Sequence, residues 1–137
     1  MDILEPLQIA VSLLLSFDTE LLSIIGLSLG VSLTAVATSL LIGLPLGALL
    51  AAYRFPGRTA VLVISNTFLS MPPVVVGLII YLLISRSGPF GWMGILYTPA
   101  AMMLAQTVLI LPISIALSRQ VFETLQGEYW TLFRSLG

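Results

Sequence analysis

Five arginines and six acids are the only charges in 137 residues, and their spacing limits what the chain can fold into. Glu20 and Arg54 bracket 33 uncharged residues, Arg58 and Arg86 bracket 27, and Arg86 and Arg119 bracket 32. A helix crosses the hydrocarbon of a bilayer with about 20 apolar residues, so each interval can hold one span. Composition agrees: 58% of residues are hydrophobic and 8% charged, against about 25% charged in an ordinary soluble domain. The polar surface is too small to cover a water-soluble core. The fold class is therefore an all-α, polytopic membrane protein.

Three spans are expected, at 21–53, 60–85 and 99–118. The first is longer than one crossing needs and predicts a tilt, or a bend near Gly43 and Pro45. The stretch "SGPFGWMG", residues 87–94, reads as a loop. Residues 3–17 are apolar but short, and Asp2 and Glu5 are not the basic start of a signal peptide. They read as an interfacial helix, with a marginal fourth span as the alternative. Lysine is absent, so orientation rests on arginine. Only acids precede the first span, whereas "RFPGR" (54–58) and the stretch after span three hold four of the five arginines. The positive-inside rule places the N-terminus outside and the C-terminus in the cytoplasm.

Pro72 and Pro73 fall about 18 Å into span two, near the bilayer midplane. Each lacks an N–H, so the carbonyls of Phe68 and Leu69 lose their usual partners. Such backbone is tolerated in a membrane only where protein or water covers it. A packing kink and a break lining a transport pathway both fit. Ser65, Asn66, Thr67 and Ser70 lie at similar depth, and Gln106 and Thr107 add polar groups in span three. With the two prolines, these are the candidate pathway residues. Freed carbonyls suit a cation, so an oxyanion would need donors from hydroxyls, amides and helix N-termini. Gly26 with Gly30, and Gly43 with Gly47 and Ala51, form small-residue faces suited to close helix packing.

From Val121 onward, Phe122, Leu125, Tyr129, Leu132, Phe133 and Leu136 recur at helical spacing. Residues 121–137 therefore predict an amphipathic cytoplasmic helix, turned near Gly127. It either rests on lipid or docks a soluble partner. No cysteine or histidine is present and no acid pair lies in a span, which argues against a membrane enzyme. No catalytic residue, metal ligand set, cofactor or nucleic-acid partner is expected. A small three-span structural or assembly protein is the remaining alternative to a transporter.

Four stretches carry a family resemblance: "GLPLGALLAAYRFPGR", "NTFLSMPPVVVGLIIYLLISRSGPFG", "YTPAAMMLAQT" and "LPISIALSRQVFETL". Together they resemble the permease subunit of tungstate ABC importers, kin of the molybdate permeases. The resemblance covers about Leu21 to Gly137 and is most specific from Pro72 through Gly91. It implies two permease subunits forming a pathway, two cytoplasmic ATPases driving it by alternating access, and an external oxyanion-binding protein. The family's coupling motif, Glu-Ala-Ala, three variable residues, then Gly, falls on "TLFRSLG". Thr131, Leu132 and Phe133 stand in the Glu-Ala-Ala places, so no motif glutamate is present. The resemblance makes Phe122, Leu125, Tyr129, Leu132, Phe133, Leu136 and Gly137 the candidate ATPase contacts. Family members continue through further spans, so the expectation is a truncated product or a fragment. Tungstate and molybdate are not separable from these residues.

Overall fold

The computed structural model describes residues 3–136. Gly137 and Asp2, which carry one of the expected ATPase contacts and part of the outer acidic charge, lie outside the described residues. The chain is helical almost throughout. A 12-residue helix, α1 (Leu4–Leu15), buries none of its residues. At about 18 Å it is too short to cross the hydrocarbon. Phe17 turns the chain with a left-handed φ of 49°. The Asp18 carboxylate then accepts the Glu20 amide at 3.3 Å, satisfying one of the open N–H groups that start a helix.

That cap begins α2 (Thr19–Ala52), 34 residues and about 51 Å long. The bend expected at Gly43–Pro45 is not a break, because the helix continues through Pro45. One lost hydrogen bond is tolerable there, as α2 is braced against a neighbouring helix at Gly43 and Gly47, on either side of the proline. Gly57, at a φ of 97°, turns the chain into α3 (Arg58–Ser70). Only glycine adopts that conformation without strain.

After Met71 the path bends by 107° into α4 (Pro73–Ile84). The single span expected over 60–85 is thus two limbs, far more sharply angled than a proline kink within one helix. A compact connection with one 3₁₀ turn, Gly91–Met93, leads to α5 (Pro99–Ser135), 37 residues and about 55 Å long. Residues 99–118 and 121–135 belong to this one helix, and Gly127 does not interrupt it. A lone glycine costs only about 1 kcal/mol relative to alanine in a helix, and good helix formers flank it. Among the described residues two helices, α2 and α5, are long and apolar enough to cross a membrane, and α3 with α4 makes a third if the bent pair is one span.

The main seam joins α2 to α5. Val31, Ala35, Ser39, Gly43, Gly47 and Leu50 form the buried stripe of α2, spaced almost entirely by four residues. A Cβ built on Gly43 would stand 2.6 Å from that of Ser114, and one on Gly47 2.8 Å from the Ile115 carbonyl oxygen. Absent side chains therefore let the backbones touch. Ser39 Oγ donates to the Thr107 carbonyl at 3.2 Å. Partners rise in number together along both helices, so α2 and α5 run parallel and α3–α4 supplies the return. Gly26 and Gly30, by contrast, have nothing within 4 Å of a would-be Cβ. Their expected packing is not made within this chain. A second cluster sets Val76, Ile80 and Ile84 of α4 against Ala101, Ala105, Val108 and Leu109 of α5. Most other large apolar side chains face outward, Leu41 at 77% and Val74 at 81% exposure. A surface of this kind needs lipid or further protein around it.

Candidate functional site

The bend at Pro72 is the first candidate. Pro72 is extended, with a ψ of 137°, and caps α4, while Pro73 occupies its first turn. On the α3 side the Met71 amide donates to the Phe68 carbonyl at 3.3 Å, restoring a partner to one of the carbonyls expected to lose theirs. On the α4 side the Val75 and Val76 amides share the Pro72 carbonyl at 3.0 and 3.4 Å. The prolines have no N–H, so Val74 is left with the open amide of the first turn. One amide is a poor cradle for an anion, compared with the several at an ordinary helix start.

The polar residues beside the bend divide by what their donors already do. Thr67 Oγ1 donates to the Val63 carbonyl at 2.8 Å, and Ser70 Oγ to those of Asn66 and Thr67 at 3.0 and 2.9 Å. Thr107 Oγ1 donates to the Met103 carbonyl at 2.7 Å. These hydroxyls present only acceptor lone pairs outward. The side-chain amides of Asn66, exposed, and Gln106, half-buried, are not tied in this way. Ser65 is buried on α3. A cavity of about 390 Å³ flanks the bend, lined by Phe68, Met71, Val76, Ile80, Phe90 and Leu104 among others, all apolar. None of the eight candidate pathway residues lines it.

The second candidate lies at the α2–α3 end. Arg58 Nε donates to the Leu50 carbonyl at 2.7 Å, satisfying one of the open acceptors in the last turn of α2. The same guanidinium reaches Glu123 Oε1 at 3.3 Å, and Arg119 Nε stands 3.9 Å from that oxygen. Arg119 Nε is buried without a hydrogen-bond partner. Two cations thus share one carboxylate, and the cluster ties the end of α2, the start of α3 and the middle of α5. Sequence reasoning missed this cluster. Its only sequence signal was that an acid, Glu123, follows Arg119 by four residues, one turn along a helix.

Beyond the cluster α5 runs on as the tail. Phe122, Leu125, Tyr129, Leu132, Phe133 and Leu136 are all exposed, Phe133 at 70% and Leu136 at 84%. Among the described residues, no packing buries any of the six.

A chain built of long apolar helices, broken by a double proline and ending in an exposed amphipathic extension, has the form of a membrane permease. Residues 43–137 match the family described as "Binding-protein-dependent transport system inner membrane component". The chain belongs to this family of ABC-transporter permeases and is a multi-pass membrane protein. It is 35% identical over 135 residues to a tungstate uptake system permease protein, TupB, of Peptoclostridium acidaminophilum, covering 98% of this chain and 59% of that protein. It is 41% identical over 110 residues to a probable anion ABC transporter permease protein of Haloferax volcanii, covering 80% of this chain and 47% of that one. A sulfate transport system permease protein, CysW, of Escherichia coli is 34% identical over 74 residues, covering 54% of this chain and 25% of that one. The chain spans about half the length of these first relatives, 59% and 47%. No solved structure matches it. Family membership favours the permease over the small structural protein.

Proposed function

We propose that this chain forms part of the transmembrane pathway of an ATP-driven importer of a tetrahedral oxyanion, tungstate foremost. The observation that carries the reading is the likeness along 98% of the chain to a protein named for tungstate uptake. A further relative is named for anions. The N-terminus lies outside and the α5 tail in the cytoplasm, as four of the five arginines favour. Two copies enclose the path, an external binding protein delivers the anion, and ATPases grip the apolar face of the tail.

The geometry supports a division of roles. The bend at Pro72 breaks the crossing, so α4 can shift without unwinding α3. Uncommitted amides, Asn66 and Gln106, are exposed or half-buried donors available to a passing anion, whereas the Thr67, Ser70 and Thr107 hydroxyls donate to their own helices. Neutral donors hold a dianion weakly, which favours passage over trapping. The helix α5 is unbroken from Pro99 to Ser135, so a push on the tail moves the seam with α2 as one body.

The test is uptake. The complete coding region, expressed with its ATPase and binding protein in cells lacking other oxyanion importers, is expected to accumulate tungstate in an ATP-dependent manner. Accumulation of sulfate or molybdate with no tungstate above background would refute the cargo assignment.

A further inference from the structure

The connection between α4 and α5 is a built structure. The Gly88 amide donates to the Ser85 carbonyl at 2.8 Å, Phe90 reaches back to Leu83 at 3.0 Å, and Gly91 donates to Gly88 at 3.1 Å. Gly88 lies against the carbonyls of Leu82 and Leu83. A Cβ on Gly91 would stand 2.8 Å from the Arg86 carbonyl oxygen. These are collisions with backbone, which no rotamer change relieves, so both positions require glycine. Tyr97 closes the connection with a left-handed φ of 63°, a conformation costing a side-chain-bearing residue roughly 1–2 kcal/mol.

These constraints shape a crevice of about 460 Å³ whose polar lining is Tyr81, Ser85, Arg86, Ser87 and Tyr97. Arg86 is the only charged residue between Arg58 and Arg119, and among the described residues it joins no ion pair. Its guanidinium offers a planar fork of N–H donors matched to oxyanion edges. Ser85 Oγ donates to the Leu82 carbonyl, which leaves Ser87 and the Tyr81–Tyr97 pair as the hydroxyls facing a ligand. Hydrogen bonding with Tyr81, and then its charge, hold the Tyr97 phenol above its ordinary value. One phenol of the pair donates to the other, so together they keep a single O–H free for a ligand.

We propose that this crevice is an entry site for a tetrahedral oxyanion, with Arg86 supplying the charge and Ser87 and the Tyr81–Tyr97 pair the hydroxyl donors. The proposal rests on the preceding reading for the class of cargo and the side of the membrane. A lone exposed cation in a concave, otherwise neutral mouth raises the local anion concentration without a carboxylate to compete. Exposure keeps the grip weak and salt-sensitive, so an anion released from a binding protein is held briefly and passed on. The site lies at the α4–α5 end, opposite the Arg58–Glu123 cluster.

Equilibrium dialysis of the purified chain in neutral detergent at low ionic strength, with sodium tungstate as probe, tests the site directly. Wild type is expected to bind tungstate, and Arg86→Gln to bind about tenfold more weakly or less, as befits loss of a charge-assisted contact. Arg86→Lys, which keeps the charge but not the fork, should fall between. Arg86 is exposed, so neither substitution threatens the fold. Absence of wild-type binding, or equal binding by Arg86→Gln, overturns the proposal. Arg86-dependent binding by a protein whose complete transporter takes up no tungstate would sustain the site and remove the cargo reading, so the two are separable.

Discussion

Gly47→Leu is expected to separate α2 from α5 and strongly destabilise the fold of the chain. The new Cβ would meet the Ser118 Cβ and lie 2.8 Å from the Ile115 carbonyl and 2.9 Å from the Arg119 amide. Two of these three contacts are backbone and cannot swing away, so the helices must part along the seam that buries Val31, Ala35, Ser39 and Leu50. Overpacking a core usually costs 1–3 kcal/mol, and a rigid backbone contact puts this change at about 3 kcal/mol or more. Titration of the detergent-solubilised protein with SDS, followed by circular dichroism, reads the effect as a lowered unfolding midpoint. Gly26→Leu supplies the control, since nothing lies within 4 Å of that position. Equal midpoints for the two variants would mean that the α2–α5 seam does not hold the chain together.

Glu123→Arg is expected to open the same end of the molecule, just beyond the Gly47 contact with Ser118 and Arg119. The wild-type carboxylate stands 3.3 Å from Arg58 and 3.9 Å from Arg119; the substitution places three guanidiniums where one anion held two. A like-charge pair at 4 Å costs about 1 kcal/mol in water and up to ~4 kcal/mol near a protein surface, and these side chains are partly exposed, which favours the lower figure. The same change removes the tie between the tail and the α2–α3 turn. In the complete transporter, uptake should therefore fall more than the thermal stability of the permease does. The swap Arg58→Glu with Glu123→Arg should recover part of the lost uptake. Recovery is incomplete because a glutamate cannot donate to the Leu50 carbonyl as Arg58 Nε does. Loss of uptake with no recovery in the swapped pair would assign Glu123 a role other than pairing with Arg58.

What the residue order reveals here is what depends on neighbours in the chain. Charge-free intervals long enough to cross a bilayer became α2 and α5, and paired prolines, which cannot sit inside a helix ladder, mark the 107° bend. The face of Gly43 and Gly47 was legible because close packing needs small residues at helical spacing; that Ser114 and Ser118 receive it was not. Gly26 and Gly30 show the limit of that signal, since the same spacing stands open in this chain. Arg58 and Glu123 are 65 residues apart, and no local periodicity links them. Hydroxyls near the bend can serve cargo or their own helix, a choice the residue order leaves open; Thr67, Ser70 and Thr107 donate to the turn behind them. The tail was expected to turn near Gly127, yet one glycine among helix formers is too small a penalty to end a helix.

The account depends on the two ends of α5 lying on opposite sides of the membrane. The chain contains no cysteine, so single cysteines report their own position. Ser87→Cys, in the Arg86 crevice, and Ser135→Cys, at the end of α5, should be labelled in intact cells by a membrane-impermeant maleimide as follows: the first reacts at once, the second only after permeabilisation. Reaction of both from outside, or of neither until the membrane is breached, would contradict the threading on which the pathway, the entry site and the ATPase contact all depend.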